Sequence, residues 1–294
     1  MRDLSATDVA TVLELAERPD LPQVLAGKGA GLVFEHPSAR TRNAAEMAVY
    51  QLGGHPVVLR GEEVGLGRRE SGEDVARTLA CYHALIGARV ADHETLEQMA
   101  AALDAADLDA PVLNLLSNRE HPTQALADLL TIRQRLGHLQ GRSIAYVGDA
   151  NNVCRSLAYG AFLTGMHLAV ASPPAYGLGK AELSGFGGLV RWSDQAEEAV
   201  EGVEVVYTDV WVSMGEEADA DAKRAALAGF CLDEALLARA APGALVMHCL
   251  PAHRGEEITA AVIDGPQSIV WQQAANRLHA MRGLVAFMLG VTGT

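Results

Sequence analysis

The stretch Phe34-Glu35-His36-Pro37-Ser38-Ala39-Arg40-Thr41-Arg42 sets two hydroxyls and two guanidiniums into its last five residues, directly behind the apolar run Gly31–Glu35. Backbone N–H groups at a helix start, hydroxyl donors and planar guanidinium forks together suit a phosphate-sized anion. The helix dipole favours negative charge there, and arginine pairs bidentately. The alternative is that Ser38 caps a helix and the arginines are solvated. Both readings stay open on these residues.

Four further clusters invite chemistry. In His121-Pro122-Thr123-Gln124 the proline suits a first helical position, so His121 stands at the helix entrance and Gln124 one turn on. Such a pair donates to and accepts from an amide-like group, or is only a cap and a surface glutamine. His248-Cys249-Leu250-Pro251-Ala252-His253 raises a cysteine nucleophile activated by histidine. Against that stand the inertness of most strand-end cysteines and the opposite facing of neighbours on a strand. In Val147–Val153 only Gly148 stands where a dinucleotide fingerprint wants three glycines. Asn151 and Asn152 are then readers of a small ligand, or a helix cap. Asp209, before Val210-Trp211-Val212-Ser213-Met214-Gly215, neutralises an amine or caps a helix.

Such dispersed groups need a scaffold that gathers loops. Short apolar runs predict strands at 31–35, 56–60, 83–89 and 111–116, separated by helical patterns at about 41–52, 70–82 and 93–103. A capped amphipathic helix opens at Ser5, and a long one from 121 ends at Gly137. Strand-type runs then resume at 143–149, 167–172, 188–193, 203–210, 244–250 and 268–274, with a final helix over about 275–290. Residues 173–188 read as a glycine-rich loop. The alternation predicts an α/β fold of two domains, each a mostly parallel sheet covered by helices, with the C-terminal helix packing back on the first. In such sheets ligands bind at the carboxyl ends of strands, and that is where every polar cluster falls, along with Arg89, Asn118, Arg119 and Glu120.

Composition agrees. A chain of 294 residues that is 49% hydrophobic carries enough core for two ordinary domains. No apolar run reaches the roughly 20 residues of a membrane helix, and the N-terminus lacks the basic-then-apolar pattern of a signal peptide, so a cytoplasmic protein is expected. Cys81, Cys154, Cys231 and Cys249 lie far apart without a C-x-x-C, which suggests neither a disulfide framework nor a structural metal site. A net charge of −14 argues against nucleic-acid or anionic-membrane partners.

Taken in order, the five motifs resemble the aspartate/ornithine transcarbamylase family, and within it the ornithine carbamoyltransferases. The resemblance runs over nearly the whole chain. It implies a carbamoyl phosphate-binding domain at 1–136, an ornithine-binding domain at 137–274 and a returning helix at 275–294. It further implies a cytoplasmic homotrimer, or multiple of trimers, that converts carbamoyl phosphate and L-ornithine to citrulline and phosphate in arginine metabolism, with no cofactor and no metal. By that resemblance Ser38, Ala39 (through its backbone), Arg40 and Thr41 hold phosphate, and Arg89 spans phosphate and carbonyl oxygens. His121, Gln124, Cys249, Leu250 and Arg277 complete the carbamoyl phosphate site, with Arg40, His121 and Cys249 catalytic. Asn152, Asp209, Ser213 and Met214 take ornithine, and the Ser-Met-Gly turn with His-Cys-Leu-Pro favours ornithine over aspartate.

Two positions depart from the family pattern: Ala39, where threonine is usual, and Gly65, where glutamine is often offered to a neighbouring subunit. Two other readings stay in view, the second of them motivated by these departures. One is a transcarbamylase for another amine, such as putrescine or an acylated ornithine; the other is a catalytically weak regulatory homologue.

Overall fold

The structure is a computed structural model that describes residues 1–213 and 217–293. The chain forms two compact units, one of Met1, Asp3–Leu130 and Asn276 onward, the other of Arg2 and Thr131–Ala275.

The first unit opens with α1 (Ala6–Glu17), where Ser5 and Asp8 bond reciprocally to each other's backbone N–H and so satisfy two helix-start donors. There follow β1 (Gly29–Phe34), α2 (Ala39–Gln51), β2 (His55–Arg60), α3 (Gly61–Val64), α4 (Gly72–Ala80), β3 (His83–Arg89), α5 (His93–Ala105) and β4 (Val112–Leu116). The strands are parallel in the order β2-β1-β3-β4. On one side of the sheet Val33, Ile86 and Ala88 pack against Val75 and Leu79 of α4 and Leu96, Met99 and Leu103 of α5. Connections leave β1 towards β2 on one side and return to β3 on the other. The carboxyl ends of β1 and β3 therefore flank a topological switch point, the place where loops diverge and leave a crevice.

α6 (Pro122–Leu136) comes next, and the compact units divide inside it at Leu130, not at its end. Helical periodicity continues through 136, so sequence pattern marks the end of the helix, and the change of packing neighbours six residues earlier leaves no trace in it.

The second unit holds β5 (Ser143–Val147), α7 (Asn152–Thr164), β6 (His167–Ala171), α8 (Lys180–Ser184), β7 (Val190–Ser193), α9 (Ala196–Val200), β8 (Val205–Thr208), α10 (Ala220–Leu227), α11 (Glu234–Leu237), β9 (Leu245–His248), α12 (Ala260–Ile263) and the start of α13 (Val270–Met288). All strands are parallel, in the order β7-β6-β5-β8-β9, with the switch point between β5 and β8. Ala145, Val147, Val206 and Val246 of the sheet pack with Ala199 and Val200 of α9 and Val262 and Ile263 of α12.

Two expectations are corrected. The run 268–274 is not a strand: Ser268 makes one bridge to Val246, and α13 begins at Val270. Its Ile269-Val270 start is strand-like, but a short apolar run carries no period that separates strand from buried helix. The loop 173–188 contains a 3₁₀ turn at Pro174–Tyr176 and the helix α8. From Asn276 on, α13 belongs to the first unit, where Gly283 lies against α1. A Cβ there would meet the carbonyl oxygen of Val12 at 2.6 Å and the nitrogen of Ala16 at 2.7 Å, so only glycine allows this approach.

Candidate active site

In the first unit, Ser38 occupies the N-cap position of α2 with extended backbone, yet its hydroxyl makes no cap bond. It accepts instead from Nη1 of Arg89 at 3.2 Å, across the β1/β3 switch point. The start of α2 is thus left without a side-chain cap from Ser38, and a guanidinium stands beside it. Ala39 and Arg40 are exposed, whereas Thr41 is buried and its Oγ1 accepts from Nη2 of Arg277 at 2.9 Å. Nη1 of Arg277 donates to Oε1 of Gln124, and Nε2 of Gln124 donates to Oδ1 of Asp128 at 2.8 Å. These bonds tie α2, α6 and α13 into one polar chain.

His121, at the entrance of α6, is buried, with Nδ1 3.3 Å from Oγ1 of Thr123. Burial, then the neighbouring cations Arg277, Arg89 and Arg40, hold its pKa well below the usual imidazole value. A neutral imidazole offers one N–H donor without adding a charge, as suits a group beside a developing oxyanion. Three guanidiniums acting on one neutral imidazole make this end of the first sheet strongly cationic, which suits a small anion. The sequence readings Ser38, Arg40, Thr41, Arg89, His121, Gln124 and Arg277 all fall in this cluster. Asp128 was missed, although it stands four residues after Gln124, the spacing of helix neighbours.

The second unit places another cluster at its own switch point. Asp209, just beyond β8, is buried; its Oδ1 accepts from Sγ of Cys249 at 2.6 Å and its Oδ2 from Nδ2 of Asn151 at 3.0 Å. Asn151 is also the N-cap of α7, with Oδ1 accepting from the backbone of Val153 and Cys154 and from the hydroxyl of Tyr146. Burial, then Asp209, push the Tyr146 phenol pKa up, which keeps it a neutral donor. The two readings of the asparagines therefore separate: Asn151 is the cap, and the half-buried Asn152 is the first residue of α7. Asp209 itself caps no helix of the described residues.

His248 does not activate Cys249. Its Nδ1 accepts from Leu250 N at 2.9 Å and its Nε2 lies 3.1 Å from Oε1 of Glu257, so both ring nitrogens are engaged away from the sulfur. His253 is likewise drawn to Glu257, through its backbone N–H at 2.5 Å. Asp209, His248 and Cys249 hold metal-ligand atoms within 4.8 Å of one another, but the engaged imidazole makes this a hydrogen-bonded cluster. Leu250 has φ +59°, a left-handed conformation uncommon for a non-glycine residue. Ser213 is half-buried, and Met214 lies outside the described residues. Sequence reasoning also missed the buried pair of Lys223 and Asp149 at 2.7 Å, with the ammonium 5.6 Å from the Tyr176 ring centroid.

Comparison with known proteins decides what these clusters belong to. The carbamoyl-P binding domain of aspartate/ornithine carbamoyltransferase matches residues 1–134, and its Asp/Orn binding domain matches residues 140–288. The chain belongs to the aspartate/ornithine carbamoyltransferase family. Ornithine carbamoyltransferase of Acidothermus cellulolyticus is 46% identical over 99% of this chain and 96% of its own length. That of Methanoculleus marisnigri is 46% identical over 91% of this chain and 86% of its own. Among solved structures, ornithine carbamoyltransferase from Pyrococcus furiosus superposes with a TM-score of 0.90 at 38% identity, covering 99% of this chain and 96% of that one.

As a member of the aspartate/ornithine carbamoyltransferase family the chain has a local reason for one of its departures. Gly65 ends α3 with φ +73°, and a Cβ there would stand 2.7 Å from Cβ of Arg69. Arg69 closes the same turn through bonds to the carbonyls of Glu63 and Val64. Any side chain at 65 would strain the turn. Ala39 has no such constraint: it is exposed on the first turn of α2.

Proposed function

We propose that the protein is an ornithine carbamoyltransferase, transferring the carbamoyl group of carbamoyl phosphate to the δ-amine of L-ornithine to give L-citrulline and phosphate. The observation that carries the reading is the second unit's buried Asp209, bonded by Cys249 and Asn151. A buried carboxylate at a strand end, with no ion pair among the described residues, suits a substrate that brings an ammonium. An aspartate substrate brings two carboxylates and calls for cations, yet the set Asn152, Asp209, Ser213 and Cys249 offers amide, carboxylate, hydroxyl and thiol. The same feature speaks against putrescine, which lacks the carboxylate that Asn152 would read.

In this reading Ser38, the Ala39 backbone, Arg40, Thr41 and Arg89 hold the phosphate; His121, Gln124, Arg277, Cys249 and Leu250 hold the carbamoyl group. Asn152, Asp209, Ser213 and Met214 hold ornithine, with Asp209 on the α-ammonium. The neutral δ-amine attacks the carbonyl carbon, and the C–N bond forms as negative charge grows on the carbonyl oxygen. Arg40, Arg89 and neutral His121 stabilise that charge without reorganising. The C–O bond to phosphate then breaks, the leaving dianion is already neutralised by guanidiniums, and it carries away the amine proton. No protein nucleophile is needed. Cys249 serves to position the amine together with Asp209. The working form is a cytoplasmic homotrimer or a multiple of trimers, so light scattering should give a multiple of three chain masses.

The test is product formation from carbamoyl phosphate with ornithine, putrescine and N-acetylornithine side by side. Ornithine should be carbamoylated at least about a hundredfold faster than either rival, as a site built for charged partners requires. No citrulline from ornithine, or a preference for another amine, would overturn the reading.

A further inference from the structure

Two carboxylates stand at the β5/β8 switch point of the second unit, and their surroundings differ. Val147 pairs with Thr208, so Asp149 and Asp209 follow the carboxyl ends of neighbouring strands. Asn151 touches both residues: its backbone N–H donates to the Asp149 carbonyl at 2.7 Å, and its Nδ2 to Oδ2 of Asp209 at 3.0 Å. After burial itself, Asp209 and Asp149 both push the Tyr146 phenol pKa up, so the two charges reach one side chain. Yet Asp209 has no ion pair among the described residues, whereas Oδ2 of Asp149 lies 2.7 Å from Nζ of Lys223. Lys223 comes from α10 and is 5% exposed, a burial that lysine rarely reaches unless paired. Its ammonium also stands 5.6 Å from the Tyr176 ring centroid, and the Tyr176 carbonyl accepts from the Ala150 N–H at 2.9 Å. The cation is thus held against the turn that carries Asn151 and Asn152.

We propose that Lys223 is a specificity-determining residue: its ammonium cancels the charge of Asp149, so that of the two carboxylates only Asp209 acts on the ligand, and an α-amino acid is chosen over the amine lacking its carboxylate. This rests on the function proposed above and deepens it. There Asn152, three residues after Asp149, reads the substrate carboxylate and Asp209 takes the ammonium. An uncancelled Asp149 would repel the carboxylate and attract any ammonium, which favours the plain amine. Lys223 needs no ligand contact to prevent this.

The experiment is ligand-observed NMR titration of the whole protein with L-norvaline and n-butylamine, in the presence of phosphonoacetamide as an unreactive stand-in for carbamoyl phosphate. The two ligands lack the reacting amine and differ only in the carboxylate. The native protein should bind norvaline at least about tenfold more tightly. In Lys223→Met that ratio should fall about tenfold, and in Asp149→Asn, which leaves the lysine uncancelled, it should rise about threefold. In the double variant Lys223→Met/Asp149→Asn it should return to within about threefold of the native ratio. Loss of structure alone would not move the two single variants in opposite directions. Should Lys223→Met not fold, the ratio in Asp149→Asn must still exceed that of the double variant. Single variants that shift together, a ratio unmoved by either, a native protein without preference, or one that binds neither ligand would each overturn the assignment. The titrations need no turnover, so absence of citrulline formation would sink the proposed reaction while the ratio still judges Lys223.

Discussion

The thiol of Cys249 donates to Oδ1 of Asp209 at 2.6 Å, joining residues 40 apart in the chain. They meet because β8 and β9 pair in parallel, Thr208 opposite His248, so the residues just beyond each strand stand side by side. The sulfur is thereby engaged as a donor to a carboxylate, the opposite of an imidazole-activated nucleophile.

Cys249→Ala should lower kcat by about ten- to a hundredfold through lost positioning, and leave no trapped adduct. Asp209→Asn should raise the KM for ornithine by at least about thirtyfold, since removing a buried charged partner costs roughly 2 kcal/mol or more. The KM for carbamoyl phosphate should change little in Asp209→Asn. Steady-state kinetics and mass spectrometry of Cys249 during turnover check both; a carbamoylated sulfur would contradict the account.

Ala39→Thr should tighten carbamoyl phosphate binding. Ala39 is exposed on the first turn of α2, where an added hydroxyl can donate to an anion. A gain of about 1 kcal/mol, near fivefold in KM, is expected with ornithine parameters unchanged. A KM that does not fall would mean that the phosphate lies elsewhere.

Much of this is legible in the sequence. Nine strand-type runs became strands because alternating or fully apolar segments of that length have few other uses; the tenth, 268–274, failed for want of a period. Residue types and positions at strand ends pointed to Ser38, Arg89, His121 and Asp209. What stayed hidden were pairings. Nothing in Ser-Ala-Arg-Thr-Arg says that the serine hydroxyl turns to Arg89 instead of its own helix, because that depends on β1 neighbouring β3. Which of Asn151 and Asn152 caps α7 was decided by one residue of helix phase.

His121 makes stability pH-dependent in a definite direction. Its folded pKa lies well below the 6.5 of a free imidazole, so the unfolded chain binds the proton more readily. The stabilisation from keeping His121 neutral is fully present above pH 6.5 and is lost as pH falls from there towards the folded pKa. The melting temperature should therefore drop between pH 7.5 and about pH 5.5, and drop less in His121→Asn, which has nothing to protonate. An equal drop in both proteins would contradict the neutral imidazole.

The proposed transfer is direct, with both substrates held together and no carbamoylated enzyme between them. Initial rates with carbamoyl phosphate and ornithine both varied test it most directly. Direct attack predicts intersecting double-reciprocal lines, whereas a covalent carbamoyl-enzyme releasing phosphate first gives parallel ones. Intersecting lines are expected; parallel lines would mean that a carbamoylated enzyme forms and direct transfer is wrong.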